Sequence, residues 1–379
     1  DAINRFFASA STDLNEGHVI QGQVNAAGFD RTDVLDAAKR LWVAMQDVGN
    51  AGVPMPHDGY LKLYQISEPD LGRYDSVLLD EGQDTNPCVY QIFASQHTDK
   101  VIVGDQHQGI YSFRGAMNAM KRIRDAEQHT LTASFRFGQP VADVANVILG
   151  VFKEERNLLR GMGEGGSVGY PQKGLHTAFL HRTNAGLFGR AVDLVHANAR
   201  IHFVGGVKSY NFEAIHDAWR VMDGDHKAIR DPFMRSFRNF DDMESYAETV
   251  NDCELKARIN VVRKYAFRIP RLLERLEAAD EQDVARAHAS CTTAHKSKGL
   301  EFDQVVLGDD FANLMHDSGV PLVSNLLPVG AKAEPLSDEE ANLIYVACTR
   351  ARKNLVITES IRELLTWRKK NPSLKLASN

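Results

Sequence analysis

Cysteine is scarce in this sequence. The four residues, at positions 88, 253, 291 and 348, form no C-x-x-C pair, and none has a histidine at zinc-finger spacing. That excludes a disulfide scaffold and a zinc finger and points to reduced, mostly buried thiols in a reducing compartment. No apolar run approaches the ~20 residues of a membrane-spanning helix, so no membrane partner is expected. With 12 prolines and 28 glycines there is no collagen-like period, and neither an internal repeat nor a low-complexity tract is visible. Positive charge is not in excess either: 44 Lys+Arg stand against 50 Asp+Glu, a formal net charge of −6. This argues against binding nucleic acid by bulk charge, although net charge speaks to solubility and steering rather than to what one groove binds. What is present is an ordinary soluble composition, 43% apolar and 25% charged over 379 residues. That length allows two or three domains of ~150 residues each.

Residues 1–70 read as helical, with 32–47 the clearest amphipathic stretch, followed by a Pro/Gly-rich turn at 52–59. Short β-branched runs then alternate with helical patterns: 76–80, 100–105, 177–181, 201–206, 303–310 and 354–358. Strands interleaved with helices predict parallel α/β sheets covered on both faces. Residues 211–287 break the rhythm and read as nearly all helix. Residues 161–169 form a Gly-rich loop, and 317–337 a loop with three prolines.

Five segments carry candidate chemistry. Asp80-Glu81-Gly82-Gln83-Asp84 directly follows a strand, where α/β folds place ligands. Two adjacent carboxylates can divide the holding of Mg²⁺ from the orienting of a water. Taken alone, the segment also reads as an acidic turn with Asp84 or Thr85 capping a helix that opens near Pro87. The second segment runs from Val103 to Gly115. Its Gln108 can sense a phosphate, and Tyr111 and Phe113, on one side if the stretch is extended, make with Arg114 a platform for unstacked bases; both rings also read as core. The third, 131–137, sets Arg136 beside Phe135, or is a surface arginine at a strand end. The fourth, 292–303, mixes Thr293, His295, Lys296, Lys298 and Gly299 in a pattern suited to phosphates, with Glu301 placed to accept from a ribose; it also reads as a basic turn. The fifth, 339–352, is a helix capped near Ser337 with Glu340 in the box position. Arg350 near its end either reaches a γ-phosphate or complements the helix dipole.

In this order and at these distances, the five segments resemble motifs II, III, IV, V and VI of UvrD/Rep-type superfamily 1A DNA helicases. YLKLYQIS, GDQHQGIYSFRGAMNA, SFRFGQPVADVANVIL, HRTNAGLF, VGGVKSYNFEAIHDAW and RKYAFRIPRLLERLE are closer still to the F-box DNA helicases and their bacterial relatives. The match covers about residues 58–365, and no F-box segment is visible. The resemblance implies an α/β, RecA-like P-loop NTPase fold with two RecA-like domains, the first incomplete, and helical insertions. Residues 1–70 would be a 1B-like helical subdomain and 71–137 the remainder of the first RecA-like domain. The second would be 138–222 plus 288–368, with 223–287 a short 2B-like helical insertion and 369–379 a tail.

By the same resemblance, Asp80 would hold Mg²⁺ and Glu81 act as the base. Gln108 would couple the γ-phosphate to the DNA track. Arg136 and Arg350 would be arginine fingers, Phe135 would stack near the adenine, and Glu301 with Gly299 would line the nucleotide site. Tyr111, Phe113, Arg114, Thr293 and His295 would contact single-stranded DNA. Arg114, Lys121, Arg122 and Arg124, with no acid among residues 114–124, offer a local basic track.

The implied cofactors are ATP and Mg²⁺. The implied activity is 3'→5' movement on single-stranded DNA and 3'-tailed duplex in recombination or repair. The implied compartment is the cytoplasm of a bacterium or the nucleus of a eukaryote. One part is missing: the phosphate-cradling G-x-x-x-x-G-K-S/T occurs nowhere in the 379 residues, and only 79 residues precede Asp80. With Asp rather than Met at position 1, the simplest expectation is a helicase chain without its N-terminal P-loop part, inactive alone, the P-loop lying upstream or on another polypeptide. The alternative is a natural P-loop-less, non-catalytic DNA-binding or regulatory relative.

Overall fold

In the computed structural model the described residues are 1–20, 30–50, 52–123, 125–250 and 252–372. The chain divides into two compact units, Asp1–His129 and Thr130–Asn379.

The first unit opens with helices α1 (Ala2–Ala8), α2 (Arg31–Gln46) and α3 (His57–Ile66). Asp30 starts α2 by accepting the Thr32 N–H at 2.7 Å, which satisfies one orphan donor of the first turn. The expected turn at 52–59 is shorter, because α3 already begins at His57. Phe6, Phe7, Leu35 and Ala38 form the apolar centre, with Trp42 edge-on to both phenylalanines at 5.6 and 5.4 Å. Lys62 on α3 is fully buried. Its ammonium donates to Ser9 O (2.8 Å), Ser11 O (2.6 Å) and Gln65 Oε1 (2.7 Å), so all three of its donors are used.

Strand β1 (Ser76–Leu79), helix α4 (Pro87–Ala94) and strand β2 (Asp99–Ile102) follow. The strands pair in parallel with Leu78 opposite Val101. The cap of α4 is Asn86, whose Oδ1 accepts the Val89 N–H at 2.9 Å, and not Asp84 or Thr85. Pro87 at the first helical position needs no N–H partner, which moves the cap to the residue just before it.

In the second unit, β3 (Ala133–Ser134) pairs in parallel with β4 (Arg160–Gly161) across α5 (Gln139–Phe152). There follow β5 (Ser167–Val168), β6 (Thr177–His181), α6 (Asn184–His196) and β7 (Ile201–Phe203). Then come α7 (Glu213–Asp223), α8 (Pro232–Arg235), α9 (Phe240–Thr249), α10 (Cys253–Tyr265) and α11 (Ile269–Ala279). The unit closes with β8 (Ala289–Thr293), α12 (Ala294–Ser297), β9 (Phe302–Leu307), α13 (Asp338–Cys348), β10 (Ala351–Val356) and α14 (Glu359–Lys370).

The main sheet is all parallel, in the order β5-β10-β9-β6-β8-β7. Every residue of β8 is buried, as expected for an inner strand covered on both faces. Helices α7–α11 confirm the helical reading of 211–287. They share one apolar cluster with α6 and β7: Phe188 lies 5.4 Å from Phe212 and 5.8 Å from Tyr265. The Gly-rich loop folds tightly over the turn into α5, where a Cβ on Gly138 would collide with the Gly165 carbonyl. Of the expected tail, residues 369 and 370 are the last of α14, and 373–379 lie outside the described residues. Among the described residues no helix is long and apolar enough to cross a membrane.

Candidate functional site

The candidate residues fall in both units. In the first, two parallel strands end side by side: Val103 N donates to Leu79 O (2.8 Å) and Gly82 N to Val103 O (2.9 Å). Asp80 leaves the end of β1 exposed, and its Oδ1 accepts the Glu81 N–H at 2.8 Å. Glu81 turns the chain through a left-handed conformation, φ 53°, uncommon without a local reason in a residue bearing a Cβ. The reason is in the next residues. Gln83 is 3% exposed; its Nε2 donates to Glu81 Oε2, and its Oε1 accepts the Asp105 N–H at 3.0 Å. A Cβ at Gly104 would collide with that amide oxygen.

Asp105 in turn accepts from His107 N (2.9 Å) and from Gln108 Nε2 (2.9 Å). One hydrogen-bonded chain thus runs Glu81–Gln83–Asp105–Gln108 across the ends of β1 and β2. In the sequence Gln83 is marked only as a neutral amide inside a run of acids.

Tyr111, Phe113 and Arg114 do not lie in an extended stretch. Residues 112–114 form a 3₁₀ turn closed by Gly115 at φ 80°. The turn still keeps the group together: the two rings are 6.2 Å apart, Arg114 stands 6.0 Å from the Tyr111 ring, and Phe113 is 68% exposed. Burial and the carboxylate of Asp84 push the Tyr111 hydroxyl pKa up. Lys121 and Arg122 end a second 3₁₀ turn; Arg124 lies outside the described residues.

In the second unit, Arg136, Gly299, Glu301 and Arg350 gather at one turn. Arg136 Nε lies 3.3 Å from Glu301 Oε2, and Arg352 Nη1 is 3.1 Å from Glu301 Oε1. Gly299 adopts φ 81°, which lets the chain leave α12. Phe135 is 79% exposed beside Arg136.

Arg350 is 1% exposed. Its guanidinium donates to Val346 O (2.9 Å), Leu300 O (3.3 Å) and Thr349 Oγ1 (3.2 Å). Thr293 is buried, and its hydroxyl caps α12 by accepting the Lys296 N–H at 3.4 Å. The Lys296 ammonium is taken by Ser209 O and Oγ at 2.8 and 2.7 Å and lies 4.4 Å from the Tyr210 ring centroid. His295 is half-buried; desolvation and the positive charge of Arg182 push its imidazole pKa down to about 4. Ser337 caps α13 as expected, accepting the Glu340 N–H at 3.2 Å. The Glu340 carboxylate binds Arg182.

The UvrD/REP helicase N-terminal domain matches residues 29–128, and the UvrD-like helicase C-terminal domain matches residues 225–361. The chain belongs to the UvrD-like helicase family. Similar proteins include F-box DNA helicase 1 of Gallus gallus, 33% identical over 96% of this chain and 38% of that protein. F-box DNA helicase protein 1 of Schizosaccharomyces pombe is 30% identical over 96% of this chain and 43% of its own length. ATP-dependent DNA helicase UvrD2 of Mycobacterium tuberculosis is 25% identical over 77% of this chain and 48% of its own. The chain therefore spans less than half the length of these relatives. The two UvrD-like matches take in the Asp80–Gln108 strand ends on one side and the 293–301 and 338–350 segments on the other.

Proposed function

We propose that this chain is part of an ATP-dependent 3'→5' DNA helicase or translocase, running on single-stranded DNA or 3'-tailed duplex in recombination or repair. The observation that carries this reading is the Glu81–Gln83–Asp105–Gln108 hydrogen-bond chain, which links the end of the acidic strand to the segment bearing the aromatic platform. Asp80 suits Mg²⁺: it is an exposed carboxylate with one oxygen held by a backbone N–H, and Mg²⁺ is usually held by one or two carboxylates completed by substrate phosphates. Among the described residues no group of three or more His, Cys, Asp or Glu side chains could hold a metal unaided. When bound, MgATP supplies the phosphoryl group and the cation that neutralises its charge.

In this reading Glu81, aimed by Gln83, orients the attacking water and takes its proton. Gln108 passes the state of the phosphate to Tyr111, Phe113 and Arg114, on which DNA bases stack. Thr293 and His295 meet the DNA backbone through the α12 turn, while Phe135, Gly299 and Glu301 receive the nucleoside. Arg136 and Arg350 stabilise the transition-state charge; to do so Arg136 leaves Glu301 and Arg350 leaves its carbonyls. The assignment of 1–70, 71–137, 138–222 with 288–368, and 223–287 to 1B-like, first RecA-like, second RecA-like and 2B-like parts belongs to the same proposal.

We further propose that the phosphate-cradling loop comes from outside these 379 residues, upstream or on another polypeptide. Support comes from the β1–β2 sheet, where Leu78, Val101 and Val103 are exposed. Parallel sheets bury both faces, and two strands alone are marginal. A second reading, a non-catalytic DNA-binding relative, is favoured by the engagement of both candidate fingers. Single-strand-stimulated ATP hydrolysis separates the two: negligible turnover by this chain, restored when a segment bearing the P-loop is supplied and abolished by Glu81→Gln, supports the helicase. No turnover in any combination supports the binding protein.

A further inference from the structure

Arg182 stands at the end of β6, outside the five chemistry-bearing segments. Its backbone N–H donates to Asp310 Oδ1 at 3.1 Å, just beyond β9. Its Nε and Nη2 both donate to Glu340 Oε1, at 2.8 and 2.6 Å, in the first turn of α13. Glu340 occupies the position whose side chain would close a capping box, but its carboxylate is spent on Arg182 instead. Asp310 also accepts from Thr183 N (2.9 Å), Thr183 Oγ1 (2.8 Å) and His181 Nδ1 (3.0 Å), so the backbone around Arg182 is fixed on both sides. The short helix α12, with His295 on it, packs against both α13 and β6.

We propose that Arg182 is a positioning residue for the 293–298 segment, holding the His295 turn against the first turn of α13. This deepens the assignment of His295 to DNA and rests on that reading. The charges acting on the imidazole are Arg182 from the end of β6 and Glu340 from α13, with opposite effects.

The test is an NMR titration of His295 in the histidine-labelled 379-residue chain, assigned by His295→Gln. Arg182→Gln should raise the His295 pKa by about one unit or more, because a repelling cation is lost and a carboxylate is left unneutralised. Arg182→Lys, which keeps the charge, should return it toward the wild-type value. Glu340→Gln should leave it low or lower it further. A merely loosened fold would raise it in both Arg182→Gln and Glu340→Gln. That result, or no rise in Arg182→Gln, overturns the proposal.

Single-stranded oligonucleotide affinity is measured in parallel. Arg182→Gln and His295→Gln should each weaken binding roughly tenfold, and the double variant little more. If His295→Gln leaves affinity unchanged while the titration signs hold, the DNA reading fails and the positioning role stands.

Discussion

Replacing Gln83 by leucine is the sharpest probe of the strand-end chain. Leucine fills a similar volume but can neither donate to Glu81 and, at 3.5 Å, to Asp84 nor accept from Asp105, so three hydrogen bonds of a 3%-exposed side chain are lost, the one to Asp84 being long. Glu81 is exposed, and water replaces its lost donor at small cost. The Asp105 N–H is half-buried beside a leucine and loses its acceptor. A stranded buried donor costs ~1–3 kcal/mol and the bond to a carboxylate somewhat less when solvent competes, so the local loss is about 2 kcal/mol, or about thirtyfold in an opening equilibrium. Amide hydrogen exchange read by mass spectrometry is the assay, because it reports local opening rather than global stability. Peptides spanning 79–84 and 103–109 should exchange about thirtyfold faster, with those of the second unit unchanged. Unchanged exchange in both peptides would refute the idea that Gln83 couples Glu81 to the Gln108 segment.

Two further outcomes follow from the same geometry. Tyr111→Ala and Phe113→Ala should each weaken oligo-dT binding roughly tenfold by loss of stacking, read by fluorescence anisotropy, with little change in the salt slope because no phosphate contact is removed. Burial works against ionisation of Asp310, yet His181 and the Thr183 and Arg182 amides hold its carboxyl below the usual range. Its folded pKa being the lower one, its contribution is present above pH ~4 and is lost as pH falls through the folded value. Asp310→Asn should therefore cost about 2 kcal/mol at neutral pH and flatten the acid limb of the stability curve, measured by urea titration at several pH values.

The class of fold and the order of its strands are legible in the residues alone. Apolar strand runs followed by chemistry-bearing turns are local signals, set by the two-residue strand period and by turn chemistry, and β1, β2, β6, β7, β9 and β10 all overlap the runs read from them. Strand β8 escaped because Ala289–Thr293 carries hydroxyls where a buried strand is usually aliphatic. Its hydroxyls are nonetheless partnered: Thr292 by the Thr293 carbonyl, Thr293 by the Lys296 N–H, and Ser290 from far along the chain, with His176 Nε2 2.9 Å from its Oγ. The extended reading of Tyr111–Phe113 failed for the opposite reason: Gly115 closes a 3₁₀ turn that no periodicity announces.

Which charges are engaged is set by how the chain packs. In sequence Lys62 and Arg182 look like ordinary surface cations, and Arg350 like a phosphate finger or a helix-dipole partner. Each is instead fixed by oxygens brought from elsewhere in the chain: the 9–11 backbone for Lys62, Glu340 158 residues away for Arg182, and Leu300 50 residues away for Arg350. A buried charge must find partners, and where they lie is a property of the packed chain, not of the residues beside it.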